Sequence, residues 1–160
     1  MAICYLALGS NLRTPRRQLT SALQQLRTIP RSCIQAQSSI YHTKPMGIRA
    51  QPDFLNMVVA LHTTLSPYCL FQYCKRIEAK QQRTRTQKWG SRTLDIDIIL
   101  FDNHQIHLPK LTIPHPHFLK RDFVMIPLLE IAPSLCLPDQ TPLAHYANPL
   151  QQTLVRQLSS

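Results

Sequence analysis

The sequence predicts an α+β fold in which strand, helix, strand, strand, helix and strand follow one another, with the helices on one face of an antiparallel sheet. Three observations carry this. The chain opens with an unbroken apolar run at residues 3–8. Two later segments each begin with a hydroxyl residue followed by proline and continue with apolar residues at helical spacing. Two further segments, 54–63 and 94–101, show strand patterning.

Residues 3–8 end at Gly9, as expected of a buried first strand. Thr14-Pro15 then supplies a helix start, Leu19, Ala22, Leu23 and Leu26 form one apolar stripe, and Pro30 ends it. Residues 34–41 read as a second strand, and a loop containing proline and glycine follows at 42–53. In 54–63, Leu55, Met57, Val59 and Leu61 share one face, with Phe54 and Asn56 on the other. Ser66-Pro67 repeats the helix start, and Leu70, Phe71, Cys74 and Ile77 give its stripe. The basic stretch up to Arg92 reads as loop, and 94–101 is the fourth strand. Eight prolines between Pro109 and Pro149 predict short helices and loops in the last third.

A chain of 160 residues is expected to form a single domain, 1–160, with a core that needs no disulfide or structural metal. No apolar run approaches a membrane span, and the first residues carry no basic leader, so a cytoplasmic protein is expected. The five cysteines, Cys4, Cys33, Cys69, Cys74 and Cys136, are odd in number and contain no Cys-x-x-Cys pair. They read as reduced, mostly buried thiols. The net charge is +10, and Glu78 and Glu130 are the two glutamates. Lys75, Arg76, Lys80, Arg83, Arg85, Lys88 and Arg92 crowd one stretch opposed only by Glu78. Such a cluster suits a phosphorylated small molecule or an RNA.

The sharpest motif is Leu94-Asp95-Ile96-Asp97-Ile98-Ile99. Residues two apart on a strand face the same side, so Asp95 and Asp97 present two carboxylates together. Hard oxygen donors of this kind suit Mg2+, which takes further ligands from water and substrate phosphates. Alone, the motif also describes a solvent-facing strand edge. Lys88-Trp89-Gly90-Ser91-Arg92 stands just upstream with Arg83 and Arg85, and arginine binds phosphate oxygens bidentately. Trp89, the one tryptophan, is placed either to cover a planar ligand or to anchor the loop on the core. The three glycines, Gly9, Gly47 and Gly90, lie at a strand end or in these loops, where close backbone approach matters. Neither a Walker A loop nor a dinucleotide fingerprint is present, so side chains and metal must hold phosphate. In Thr112-Ile113-Pro114-His115-Pro116-His117, His115 reads as a hydrogen-bond donor to a nucleotide and His117 as surface. No Ser-His or Cys-His constellation suggests a covalent intermediate.

These blocks resemble the 6-hydroxymethyl-7,8-dihydropterin pyrophosphokinase family over nearly the whole chain. The resemblance rests on Leu8-Gly9-Ser10-Asn11-Leu12, Tyr41-His42-Thr43-Lys44-Pro45-Met46-Gly47, Gln51-Pro52-Asp53-Phe54-Leu55-Asn56 and Arg76-Ile77-Glu78. It rests further on Trp89-Gly90-Ser91-Arg92-Thr93-Leu94-Asp95-Ile96-Asp97, Leu111-Thr112-Ile113-Pro114-His115 and Arg121-Asp122-Phe123. It implies a ferredoxin-like βαββαβ sandwich and transfer of pyrophosphate from ATP to the pterin hydroxymethyl group, with release of AMP, in folate biosynthesis. ATP would be the co-substrate and Mg2+ the cofactor, with two ions held by Asp95 and Asp97. Thr43, Pro45, Met46, Asn56 and Trp89 would line the pterin pocket, with Phe54 and Phe123 on either side of the ring. Lys75, Glu78, Arg83, Arg85, Arg92, Ile98, Lys110, Thr112, His115 and Arg121 would contact ATP. Of these, Arg83, Arg92 and Arg121 join the two aspartates in the catalytic step, and the loop from Arg83 to Trp89 would close over both substrates.

The family pattern has tyrosine where Phe54 stands, glutamine and arginine where Lys75 and Lys110 stand, and an aromatic residue at Pro116. The rival reading is a ferredoxin-like nucleic-acid-binding module using residues 75–92. Neither strand one nor strand four offers the aromatic pattern such a module uses to stack bases, and the carboxylate pair would repel phosphate without metal. The expectation is therefore a monomeric enzyme with small-molecule partners, and neither nucleic acid nor membrane.

Overall fold

The computed structural model describes residues 1–44, 52–81, 93–147 and 155–157. Its main sheet is antiparallel, in the order β5-β1-β4-β3-β8, with β2 also pairing β4. The strands are β1 (Ala2–Ser10), β2 (Ser32–Gln37), β3 (Tyr41–Thr43), β4 (Phe54–Thr63), β5 (Asp95–Phe101) and β8 (Val155–Gln157). A separate hairpin joins β6 (Ile106–Leu108) to β7 (Leu111–Ile113). The helices are α1 (Pro15–Leu26), α2 (Pro67–Lys80) and α3 (Asp122–Ile131). The predicted order of strands and helices is therefore present, as are short 3-10 turns at Phe118–Lys120 and Leu143–Tyr146.

The stripe Leu19, Ala22, Leu23 and Leu26 buries α1, while α2 buries Leu70, Cys74, Ile77 and Glu78. Both stripes meet Cys4, Leu6 and Leu8 of β1, Met57, Val59 and Leu61 of β4, and Ile96 and Ile98 of β5. Ser66 caps α2 by accepting from the Cys69 N–H. Thr14 does not cap α1 with its side chain: it adopts φ 59°, and its carbonyl takes the Gln18 N–H instead.

Three expectations are corrected. The predicted strand at 34–41 is two strands along one edge of β4, because residues 38–40 leave the ladder. Ser38 fills the gap: its N–H donates to the Val58 carbonyl, and its Oγ accepts from the Val58 N–H, each at 2.9 Å. Secondly, the helices do not all lie on one face. Val58, Ile99 and Leu100 point away from the first core and pack with Val124, Met125 and Leu128 of α3, so both faces are covered. A register shift between Tyr5 and Leu6 lets Ile99 and Leu100 both turn to the α3 side. Thirdly, the thiols are not mostly buried: Cys4 and Cys74 are, whereas Cys33 is exposed and Cys69 and Cys136 are intermediate.

Among the described residues no helix is long and apolar enough to cross a membrane.

Candidate active site

The antiparallel register aligns one row of residues across the α3 side of the sheet. Asp95 of β5 pairs with Gly9 of β1, Gly9 with Asn56 of β4, and Asn56 with Tyr41 of β3. Directly paired residues share a face, so the neighbouring pairs Asp97–Ala7 and Thr43–Phe54 point the same way. Strand alternation thus brings Asp95, Asp97, Thr43, Phe54 and Asn56 to one surface; the spacing predicts this for Asp95 with Asp97 and for Phe54 with Asn56.

α3 crosses this surface. Arg121 stands at its start, where the guanidinium acts on both Asp97 and His115 and lies 5.8 Å from the Phe123 ring centre. Near its other end Glu130 accepts from the Ser39 N–H and from the Tyr41 hydroxyl, the latter at 2.7 Å. Those bonds tie α3 to β3 and thereby fix Phe123 relative to Asn56. Sequence patterning misses Tyr41 and Glu130 as a supporting pair; the rarity of glutamate in this chain is the one signal pointing at Glu130.

The pterin-side residues form a built pair. Asn56 and Thr43 are both buried, and the Asn56 Nδ2 donates to Thr43 Oγ1 at 2.8 Å. A Cβ on Gly9 would meet Asn56 Oδ1 at 2.7 Å, so glycine here makes room for the amide of Asn56. Asn11 donates to the Pro52 carbonyl at 2.8 Å and holds the segment entering β4. His42 Nε2 lies 3.2 Å from Asp53 Oδ2 beside it.

Electrostatics mark the other half. Burial and then the neighbouring Asp95 push the Asp97 carboxyl up to about 6, against the opposing pull of Lys75 and Arg121. A carboxylate pair that resists ionisation in this way invites a cation. Among the described residues no three His, Cys, Asp or Glu side chains converge as a cage. Two carboxylates and no more suit Mg2+, whose remaining ligands come from water and phosphate oxygens, so the donor set fits the metal.

His115 is held neutral: burial, then Arg121 and His117, lower it to about 4. Its Nδ1 accepts from the His117 N–H at 3.2 Å, which leaves Nε2 to carry the proton and donate. Lys75 binds Glu78 at 3.0 Å and lies 5.3 Å from the Phe71 ring centre. Glu78 is buried. The Ile98 side chain is packed in the α1/α2 core, so a ligand contact there would have to come from its backbone. Thr112 is half-buried on β7, and Lys110 is exposed in the hairpin turn. Pro45, Met46, Arg83, Arg85, Trp89 and Arg92, with Gly47, Lys88 and Gly90, lie outside the described residues.

Comparison with known proteins identifies the family. The family model described as 7,8-dihydro-6-hydroxymethylpterin-pyrophosphokinase (HPPK) matches residues 5–133. A 2-amino-4-hydroxy-6-hydroxymethyldihydropteridine pyrophosphokinase of Haemophilus influenzae is 45% identical over 139 residues, covering 87% of each chain. One from Pseudomonas aeruginosa is 45% identical over 135 residues, covering 84% of this chain and 83% of its own. The Bacillus subtilis protein of that name is 41% identical over 129 residues, covering 81% and 77%. A solved HPPK-DHPS chain in complex with substrates shares the fold at TM-score 0.77 and 14% identity. It is matched by 99% of this chain, which spans 47% of that longer one. The match over residues 5–133, together with three such relatives, shows that the chain belongs to the 7,8-dihydro-6-hydroxymethylpterin-pyrophosphokinase family.

Proposed function

We infer that this protein transfers the pyrophosphoryl unit of ATP to the hydroxyl of 6-hydroxymethyl-7,8-dihydropterin, releasing AMP, as a step of folate biosynthesis. One observation carries the reading: in a chain of this family, the Asp95/Asp97 pair and the Asn56–Thr43 pair share one sheet face, separated by Gly9 and Ala7 of β1. A polyphosphate on the first pair and a flat heterocycle on the second would lie side by side.

Phosphoryl transfer needs alignment and charge neutralisation more than a protein nucleophile. Asn56 and Thr43 offer fixed polar atoms to the pterin edge, and Phe54 and Phe123 bound the ring between β4 and α3. Asp95 and Asp97 hold Mg2+, two ions in our reading, which when bound would screen phosphate charge and make the pterin hydroxyl more acidic. Arg121 stands beside Asp97 to meet the transferred group. His115, neutral with its proton on Nε2, donates to the nucleotide without adding charge. Thr112 and Lys110 extend that side along the hairpin. We assign Arg83, Arg85 and Arg92 to the phosphates, and Pro45, Met46 and Trp89 to the pterin, from the family pattern.

A nucleic-acid module would need an open sheet face, and here α1 and α2 cover one face while α3 covers the other. We further propose that residues 1–160 act as a single domain, as a cytoplasmic monomer. Incubation with ATP, Mg2+ and the reduced pterin tests the function: AMP should appear in step with pterin pyrophosphate. Formation of ADP instead would overturn pyrophosphoryl transfer.

A further inference from the structure

β5 stands at the end of the sheet order, so among the described residues its outer side has no strand beside it in that sheet. Its inner side pairs with β1 through Asp95–Gly9, Ile96–Leu8 and Asp97–Ala7. Ile96, the residue between the two aspartates, donates its backbone N–H to Glu78 Oε2 of α2 at 2.7 Å. The second oxygen, Oε1, accepts from Lys75 Nζ at 3.0 Å. Glu78 is 2% exposed, whereas the Lys75 side chain keeps 35% of its surface. A carboxylate this buried persists where charge-assisted hydrogen bonds replace its water. One of those bonds falls on the Asp95–Ile96 peptide, between the two carboxylates of the site.

We propose that Glu78 is a positioning residue for the carboxylate pair: held in α2 and paired with Lys75, it grips the Ile96 amide and so sets the direction in which Asp95 and Asp97 face the metal. This rests on the function inferred above. It replaces the nucleotide contact that the family pattern assigns to Glu78. Rotation of the Ile96 peptide would swing both flanking carboxylates, since each lies one residue away on the opposite side of the strand. The β1 ladder restrains this end of β5 from one side, and Glu78 supplies the restraint from the other. Lys75 pairs with Glu78 and also acts on Asp97, so the same lysine balances a carboxylate in α2 and one in β5. Outer partners of this kind orient metal ligands, and their loss weakens metal binding by about 10- to 100-fold.

The test uses Glu78→Ala and Glu78→Gln in the full chain. The readouts are amide exchange at Ile96 in the metal-free protein, Mn2+ binding in the presence of an ATP analogue, and KM for ATP at saturating Mg2+. With Glu78→Ala, Ile96 exchange should accelerate at least about tenfold, and Mn2+ affinity should fall about 10- to 100-fold. KM for ATP should move less than about threefold, because the side chain faces inward. Glu78→Gln keeps an acceptor oxygen and should recover most of both losses. Unchanged exchange and metal affinity in Glu78→Ala would overturn the proposal. So would a Glu78→Gln variant whose sole defect is a raised KM for ATP, since that marks a direct nucleotide contact. Should Glu78→Ala fail to fold, Glu78→Gln decides alone: protected Ile96 and near-normal Mn2+ affinity support the clamp, and their loss refutes it. If the unaltered protein forms no AMP, the functional reading fails, while exchange and Mn2+ binding still decide the role of Glu78.

Discussion

Asp97→Asn separates what the carboxylate pair costs the fold from what it gives the reaction. In the folded chain Asp97 titrates near 6, against an ordinary value of 3.8. That gap is about 2 units, or about 3 kcal/mol once the group is ionised in both states. Asp97 keeps partial solvent contact, so we expect about 1–3 kcal/mol to be recovered by asparagine. For a chain of this size that is a rise in Tm of about 2–10 °C. The sign follows from the direction of the shift. Below about pH 4 the carboxyl is protonated in both states, and variant and wild type should melt together. Between pH 4 and 6 the unfolded chain releases its proton first, so the contribution of Asp97 to wild-type stability falls as pH rises; above about 7 the gap is complete. His115 runs oppositely across the same window, because its folded value of about 4 lies below its ordinary 6.5. The two contributions oppose each other in the wild-type curve, so the difference between variant and wild type is the quantity to read. Thermal unfolding in EDTA at pH 4.5, 6 and 8 measures it, and pyrophosphate transfer by the variant should be largely lost. A variant no more stable than wild type at pH 8, or more stable by an amount independent of pH, would refute the electrostatic reasoning.

Gly9→Ala places a methyl group 2.7 Å from Asn56 Oδ1, so the amide must turn and the bond to Thr43 weakens. Pterin affinity should drop by about tenfold with ATP affinity little changed, as equilibrium titration of each ligand would show. His115→Gln retains a neutral donor and should keep ATP affinity within about threefold, whereas His115→Phe should lose about tenfold; equal losses in both would remove the donor role. Arg92→Ala should slow the chemical step more than it weakens ATP binding, because a bidentate guanidinium matters most where phosphate charge redistributes. Rapid-quench kinetics separate the two, and an unchanged chemical rate would contradict the assignment.

The alternation Asp95-Ile96-Asp97 sets the direction of the carboxylate half of the site, and it is legible because a strand has only two sides. With Ile96 driven into the α1/α2 core, the aspartates must face the other way. Asn56 follows by the same logic from Met57 and Val59. What escapes is what depends on a partner distant in sequence. The break between β2 and β3 hinges on the Ser38 hydroxyl replacing a ladder bond to Val58, and one serine in a polar run carries no such mark. Strands of three residues, such as β6 and β7, are too short for a period to show.

The role of α3 lies between these cases. Met57-Val58-Val59-Ala60-Leu61 is buried throughout, and an uninterrupted apolar run in a strand signals cover on both faces. Alternation and a continuous run coexist in β4, and they mean different things. The polar end carries the buried Asn56–Thr43 pair; the apolar stretch is where Val124, Met125 and Leu128 close over the sheet. The site therefore sits at the margin of a packed interface, and the contacts that aim Phe123 and Arg121 are the ones that bury Val58 and Ile99. Substitutions in that second core, such as Leu128→Ala, should thus disturb ligand binding as well as stability, without touching either substrate.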